Sequence, residues 1–251
     1  MKLVKLAKYL DKVLNIHGID DVSLNGLQVG GDWEVTKVAL AVDACMQTFQ
    51  RAANWDAGLL LVHHGLFWEK PFPLRGIDYE KIAFLVQSNL GVYAAHLPLD
   101  VHPGLGNNAR IFEVLDLRSG GEFGTCGGRR IGLWGFCKET LSLREIKARL
   151  LQATGERCRT LRFGPEAIQR VAILSGKANL SVYREAWEGK FDLLVTGETS
   201  HSAYTFAEDH GMNVLYAGHY GSESLGIKAL GMHLTSKFGL ETKYLDHPTG
   251  M

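Results

Sequence analysis

The sequence predicts an α/β fold: two similar lobes formed by internal duplication, with mixed or parallel sheets flanked by helices. Three observations carry this. Apolar runs of strand length alternate with segments of helical spacing. The second half of the chain repeats the rhythm of the first. Three apolar runs end in histidine, as ligand-bearing strand ends in such folds do.

Taken in order, Leu3, Leu6, Ala7, Leu10, Val13 and Leu14 give a helix over 3–15. Asn25 to Gly30 reads as a glycine-bounded turn and short strand. A strand over 38–42 leads to a helix from Met46 to Trp55 and a strand over 58–62. A loop through Pro71, Pro73 and Gly76 precedes a helix near 78–89 and a strand over 91–95. Gly120-Gly121 and Gly127-Gly128 mark a loop-rich middle, followed by a strand from Arg129 to Cys137. Ser142 and Glu145 fit a capping box that opens a helix to about Ala153. A strand over 171–174 and a helix near 181–188 follow, and these alternations suggest a largely parallel sheet.

Then the first-half pattern returns. Asp192 to Thr196 matches 58–62, with Gly197-Glu198 where His63-His64 stood. A helix near 202–209 and a strand over 213–217 match 78–89 and 91–95, and His96-x-x-x-Asp100 matches His219-x-x-x-Glu223. The lobes fall at about 1–120 and 121–251 of one unit spanning 1–251, with exchange of chain between them allowed.

Bulk properties narrow the class. The chain has 251 residues, 46% apolar, enough for a well-buried core. Its 27 basic and 27 acidic residues balance, which disfavours a nucleic-acid backbone as main ligand. No apolar run approaches the roughly 20 residues of a membrane span. The N-terminal residues do not read as a signal peptide. Cys45, Cys126, Cys137 and Cys158 lack paired spacing, so free thiols and a cytoplasmic location are expected.

The chemistry lies at the histidine endings. Gly58 to Val62 ends in His63-His64-Gly65; Gly91 to Ala95 ends in His96, with Asp100 beyond; Asn213 to Ala217 leads through Gly218 to His219, with Glu223 beyond. Imidazole and carboxylate together suit zinc, iron, manganese or similar divalent ions. His63, His64, Asp100, His219 and Glu223 make more ligands than the roughly three that one catalytic ion needs, so two ions per chain are expected. Neighbouring strand residues point to opposite faces, but at a strand end before Gly65 the two rings can diverge. Ser222 reads as the N-cap of a helix running to Phe238, with Glu223 in its first turn, where the backbone favours negative charge. His96 either binds substrate, carries protons or hydrogen-bonds a ligand from behind; Glu198 is a similar candidate or merely opens a helix. His17, His102, His201, His210, His233 and His247 read as structural or exposed. Ser175-Gly176-Lys177 lacks the glycines of a phosphate loop, and the turn at Gly104, Gly106, Asn107 and Asn108 reads as a plain loop.

Five ordered motifs carry a family resemblance: Asn25 to Gly30, His63-His64-Gly65, His96-Leu97-Pro98-Leu99-Asp100 with Gly106-x-Asn108, Thr196-Gly197-Glu198, and Ala217-Gly218-His219-Tyr220-x-Ser222-Glu223. Over nearly its whole length the chain closely resembles the Nif-three-like family, also labelled GTP cyclohydrolase 1 type 2 homologues, in its short bacterial form. The resemblance implies a dinuclear metal site at His63, His64, Asp100, His219 and Glu223. It also implies two interlocked lobes and a ring-shaped homohexamer with metal sites facing an interior cavity. The expected function is a metal-dependent hydrolase of a small nucleotide-like substrate, using a metal-bound water or hydroxide, with His96 or Glu198 moving protons. The alternative is a non-catalytic metal chaperone, insertase or scaffold. No residue pattern reads guanine, and family membership does not set a substrate.

Overall fold

The computed structural model describes residues 1–250. The chain divides into two compact units, one of Met1–Leu99 with Ile227–His247, the other of Asp100–Gly226 with 248–250.

The first unit opens with α1 (Leu3–Leu14), which ends at Asn15 in the left-handed conformation, and β1 (Gly26–Val29). Then follow β2 (Lys37–Asp43), α2 (Met46–Ala53), β3 (Leu59–His64), α3 (Ile77–Gln87), β4 (Gly91–Ala94) and the start of α4 (Leu97–Asp100). The sheet order is β1-β4-β3-β2, with β11 (Glu241–Tyr244) on the far edge. β2, β3, β4 and β11 run parallel, while β1 pairs antiparallel with β4. The apolar runs belong to strands covered on both faces, which is why they lack alternation. On one face Ala39, Leu60, Val62 and Val92 pack with Phe49 of α2 and Leu85 of α3. On the other, α1 sets Leu3 against Gly91, and the helical segment after Ile227 brings Gly231 against Leu40.

The second unit holds α5 (Asn107–Val114), β5 (Leu117–Cys126), β6 (Arg129–Leu141), α6 (Leu143–Thr154), β7 (Arg159–Arg162), β8 (Ile168–Lys177), α7 (Leu180–Glu188), β9 (Leu193–Glu198), α8 (His201–Asp209), β10 (Asn213–Tyr216) and the start of α9 (His219–Phe238). Its sheet order is β5-β6-β8-β9-β10-β7. β8, β9 and β10 are parallel; β5, β6 and β7 pair antiparallel with their neighbours. Ile146 and Leu150 of α6 close the core over Val171, Ile173, Leu193 and Leu215. α6 opens on the expected capping box: Ser142 Oγ accepts from Glu145 N–H at 3.3 Å, and Glu145 Oε2 accepts from Ser142 N–H at 2.8 Å.

The repeat is visible in strand order. β1-β4-β3-β2 in one unit matches β7-β10-β9-β8 in the other, each with an antiparallel edge and three parallel strands. A 12-residue helix precedes each set. Both sheets are mixed: the first is largely parallel, as expected, with β1 antiparallel at its edge, while in the second the antiparallel pairings of β5, β6 and β7 outnumber the parallel ones.

Two further expectations change. The glycine-rich middle is a long hairpin, not a loop. Cys126 pairs with Arg129 across Gly127-Gly128, both with positive φ, the two-residue turn whose twist matches the strands. The final long helix begins at His219, not after Ser222, because Gly218 (φ 81°) turns the chain sharply at the strand end. Glu223 is thus one turn inside the helix, on the same face as His219.

Candidate metal centre

In the first unit, three imidazoles gather beyond the carboxyl ends of β3 and β4. His63 is fully buried and His64 half-buried at the end of β3; His96 follows β4. Ring centroids lie 4.7 Å apart for His63 and His64, 5.2 Å for His63 and His96, and 5.7 Å for His64 and His96. One ring nitrogen of each falls within 4.8 Å of the others. Trp68 packs edge-on against His96 at 5.2 Å.

Each ring is anchored through Nδ1. His63 Nδ1 donates to the Ala95 carbonyl at 2.8 Å, His64 Nδ1 to Asp43 Oδ1 at 2.8 Å, and His96 Nδ1 to Asp21 Oδ1 at 2.9 Å. In a neutral imidazole this assigns the proton to Nδ1 and the lone pair to Nε2. Metal-binding histidines are oriented in this way.

Asp21 is a hub. It also accepts from Leu97 N–H at 2.9 Å, from Asn25 Nδ2 at 2.8 Å and from Ser23 N–H at 3.1 Å. Burial would push its carboxyl up, but the hydrogen bond and charge of His96, with Asn25 and Ser23, outweigh this and hold it below its ordinary value. Asn25 and Gln28 explain the first motif. Asn25 Oδ1 accepts from His96 N–H at 2.7 Å, and Gln28 Oε1 accepts from Leu66 N–H at 2.6 Å, so both tie down histidine-bearing turns.

In the second unit the donors are Asp100, His219 and Glu223. Carboxylate oxygens of Asp100 and Glu223 lie within 4.8 Å of one another, and both residues are buried. His219 Nε2 is 3.0 Å from Glu223 Oε2, and its Nδ1 is 3.5 Å from Glu198 Oε1. Burial disfavours the charged imidazole, but Glu223 and Glu198 together hold His219 above its ordinary pKa. Asp100 Oδ1 accepts from Asn107 Nδ2 at 2.8 Å and from Ser175 Oγ at 2.9 Å, which sets the carboxylate plane. Asn108 is no loop residue: it is buried in α5, accepts from Ser175 N–H at 2.7 Å and donates to the Ile131 carbonyl at 2.8 Å. Gly176 sits at φ 65°, which disfavours a side chain, and a Cβ there would push the Glu223 carboxylate out of place.

Sequence reasoning missed Asp21, Asp43, Asn107 and Ser175. Asp43 carried a signal, a carboxylate closing an apolar strand beside β3; its neighbour pairing is Asp43 with His64. Asp21 carried none. Elsewhere, His102 caps its own turn, His210 stacks on Phe206, and Tyr9 hydroxyl meets His233 Nε2 at 2.5 Å, all as structural roles. Among the described residues no helix is long and apolar enough to cross a membrane.

A duplicated α/β scaffold with imidazole and carboxylate donors at its strand ends defines a protein with a candidate divalent-metal centre. The chain belongs to the Duf34/NIF3 (NGG1p interacting factor 3) family, whose model matches residues 1–249. Curated relatives called GTP cyclohydrolase 1 type 2 homolog include one from Archaeoglobus fulgidus, 41% identical over all of both chains. Another, from Deinococcus radiodurans, is 39% identical over 98% of this chain and 94% of its own. Among solved structures, TTHA1606 from Thermus thermophilus superposes with a TM-score of 0.90 at 39% identity, and protein ybgI, of unknown function, with 0.91 at 31%, each covering 100% of both chains.

Proposed function

We propose that the chain holds two divalent ions, with His63 and His64 as ligands from the first unit and Asp100, His219 and Glu223 from the second. The observation that carries this reading is the anchoring of Nδ1 on His63 by the Ala95 carbonyl and on His64 by the Asp43 carboxylate, which turns Nε2 of each into the donor. The donor chemistry suits iron, zinc or manganese. We further propose a metal-dependent hydrolase of a small nucleotide-like molecule; the name borne by the relatives supports this class. Divalent ions in such a setting act as Lewis acids and activate water. The chain's own residues then hold and move protons. His96, kept in register by Asp21, and Glu198, half-exposed beside His219, are the groups that exchange protons with substrate. The free thiols support a reducing, cytoplasmic setting, and the resemblance supports a homohexamer, which light scattering would test.

Elemental analysis of protein purified without added metal should find about two ions per chain, and His63→Ala or Glu223→Gln should lower that content. No retained or exchangeable metal would sink the metal reading. Metal-loaded protein is then assayed against nucleotides and phosphoesters. Turnover lost in His219→Ala supports the hydrolase. Equal inertness of wild type and variant removes it and leaves a metal carrier or scaffold.

A further inference from the structure

The second unit contains a cavity of about 1090 Å³ beyond the carboxyl ends of β9 and β10, where α/β sheets receive ligands. Its wall includes Arg157, Arg159, Thr199 and Tyr216, together with Gly197 and Gly218, the chain neighbours of Glu198 and His219. Arg157 and Arg159 flank buried Cys158, and both exposed arginines line the same cavity. Arg159 stands directly opposite Tyr216 in the β7–β10 pairing.

The charges on this wall are unevenly matched. Glu198 lies 3.5 Å from His219 Nδ1 and 3.7 Å from Lys177 Nζ. Glu156 lies against Gly221 in the first turn of α9. Arg110 and Arg130, by contrast with the cavity pair, meet Glu113 and Glu185. Neither Arg157 nor Arg159 has an ion-pair partner among the described residues. Each of these two unmatched guanidinium groups on one cavity wall carries the planar donor fork to which phosphate binds bidentately. Tyr216 and Thr199 add hydroxyls, both within reach of the Tyr183 hydroxyl, at 3.1 Å and 2.8 Å.

We propose that this cavity binds a phosphorylated small molecule, with Arg157 and Arg159 holding the phosphate and the rest of the ligand directed towards His219. The inference rests on the reading of His219 and Glu223 as metal donors and names the substrate class for that site. The cavity slightly exceeds the usual range for small-molecule pockets, about 300–1,000 Å³, and so has room for a nucleotide-sized ligand.

Inorganic pyrophosphate, AMP, GTP and adenosine are titrated calorimetrically into metal-loaded and metal-stripped protein, wild type and the Arg157→Gln/Arg159→Gln double variant. Both arginines are exposed, so the variant should keep its fold and its metal, checked by circular dichroism and elemental analysis. At least one phosphorylated probe should bind wild type, with Kd raised about tenfold or more in the variant. Pyrophosphate binding alone would identify the phosphate as sufficient; binding of only AMP or GTP would show that the nucleoside contributes. The proposal is overturned if no phosphorylated probe binds wild type, if the variant binds it equally well, or if adenosine loses as much. Failure of wild type to take up metal on loading would sink the metal reading separately, while an arginine effect in stripped protein would still stand.

Discussion

The ends of β3 and β9 occupy the same place in the repeat and carry opposite solutions. β3 ends in His63-His64, two bulky rings; β9 ends in Gly197-Glu198, where a Cβ on Gly197 would come 2.5 Å from the Gly176 carbonyl, 2.7 Å from Ser222 Oγ and 2.9 Å from His219 Cα. In the second unit the first turn of α9 lies directly on the strand ends, and donors come from the helix. In the first unit β3 itself supplies donors, held by Asp43 at the end of β2 and by the Ala95 carbonyl just after β4. A duplicated scaffold can thus diverge in its chemistry without changing strand order, because strand order depends on buried apolar faces and donors sit beyond them.

The largest expected effect tests that packing. Gly197→Val should cost about 3 kcal/mol or more in urea unfolding, since the obstructing atoms are mostly backbone and cannot rotate aside. His63→Gly, the reverse exchange at the matching position, should leave a folded protein that binds metal poorly. If Gly197→Val is as stable as wild type, the close approach of α9 to β9 is wrong.

A middle-sized effect compares how the imidazoles are anchored. Asp43→Asn, which frees the ligand His64, should weaken metal binding about 10- to 100-fold, measured by competition with a chelating dye, whereas Asp21→Asn, which frees His96, should leave metal affinity nearly unchanged. Glu198→Gln should cost less than Asp43→Asn, because its contact with His219 Nδ1 is 3.5 Å against 2.8 Å between Asp43 and His64. Equal losses in Asp43→Asn and Glu198→Gln would erase the distinction between the units.

The smallest effect is in pH dependence of the metal-free protein. Asp21 has a folded pKa below its ordinary value of 3.8, so its contribution is present above that value and is lost as pH falls through the folded pKa. His219 has a folded pKa above its ordinary 6.5, so its contribution is full below that value and is lost as pH rises through the folded pKa. Urea midpoints across pH 3 to 9 should therefore lose their acid-side slope in Asp21→Asn and their slope above neutrality in His219→Gln. Unchanged profiles in both variants would show that these pairs do not couple to folding.

Much of the scaffold was legible because parallel strands buried on both faces leave uninterrupted apolar runs such as Leu59 to Val62. The capping box at Ser142 was legible because its partners are three residues apart. The β5–β6 hairpin was not: its glycines also mark loops, and only pairing across Gly127-Gly128 decides between them. The start of α9 was misread because Ser222 looks like a cap, whereas its hydroxyl donates to the His219 carbonyl and accepts from Gly176 N–H.

By itself, the sequence determined the α/β class, the repeat and the histidine and carboxylate endings, since each depends on periodicity or short spacing. Tertiary structure alone decided which groups stand behind those endings. Asp21 reaches His96 across 75 residues of chain, and Ser175 reaches Asp100 across the same separation. Such partners are chosen by three-dimensional proximity after the core has formed, and nothing in local spacing encodes them. They decide which nitrogen of each anchored imidazole carries the proton and which way the Asp100 carboxylate faces.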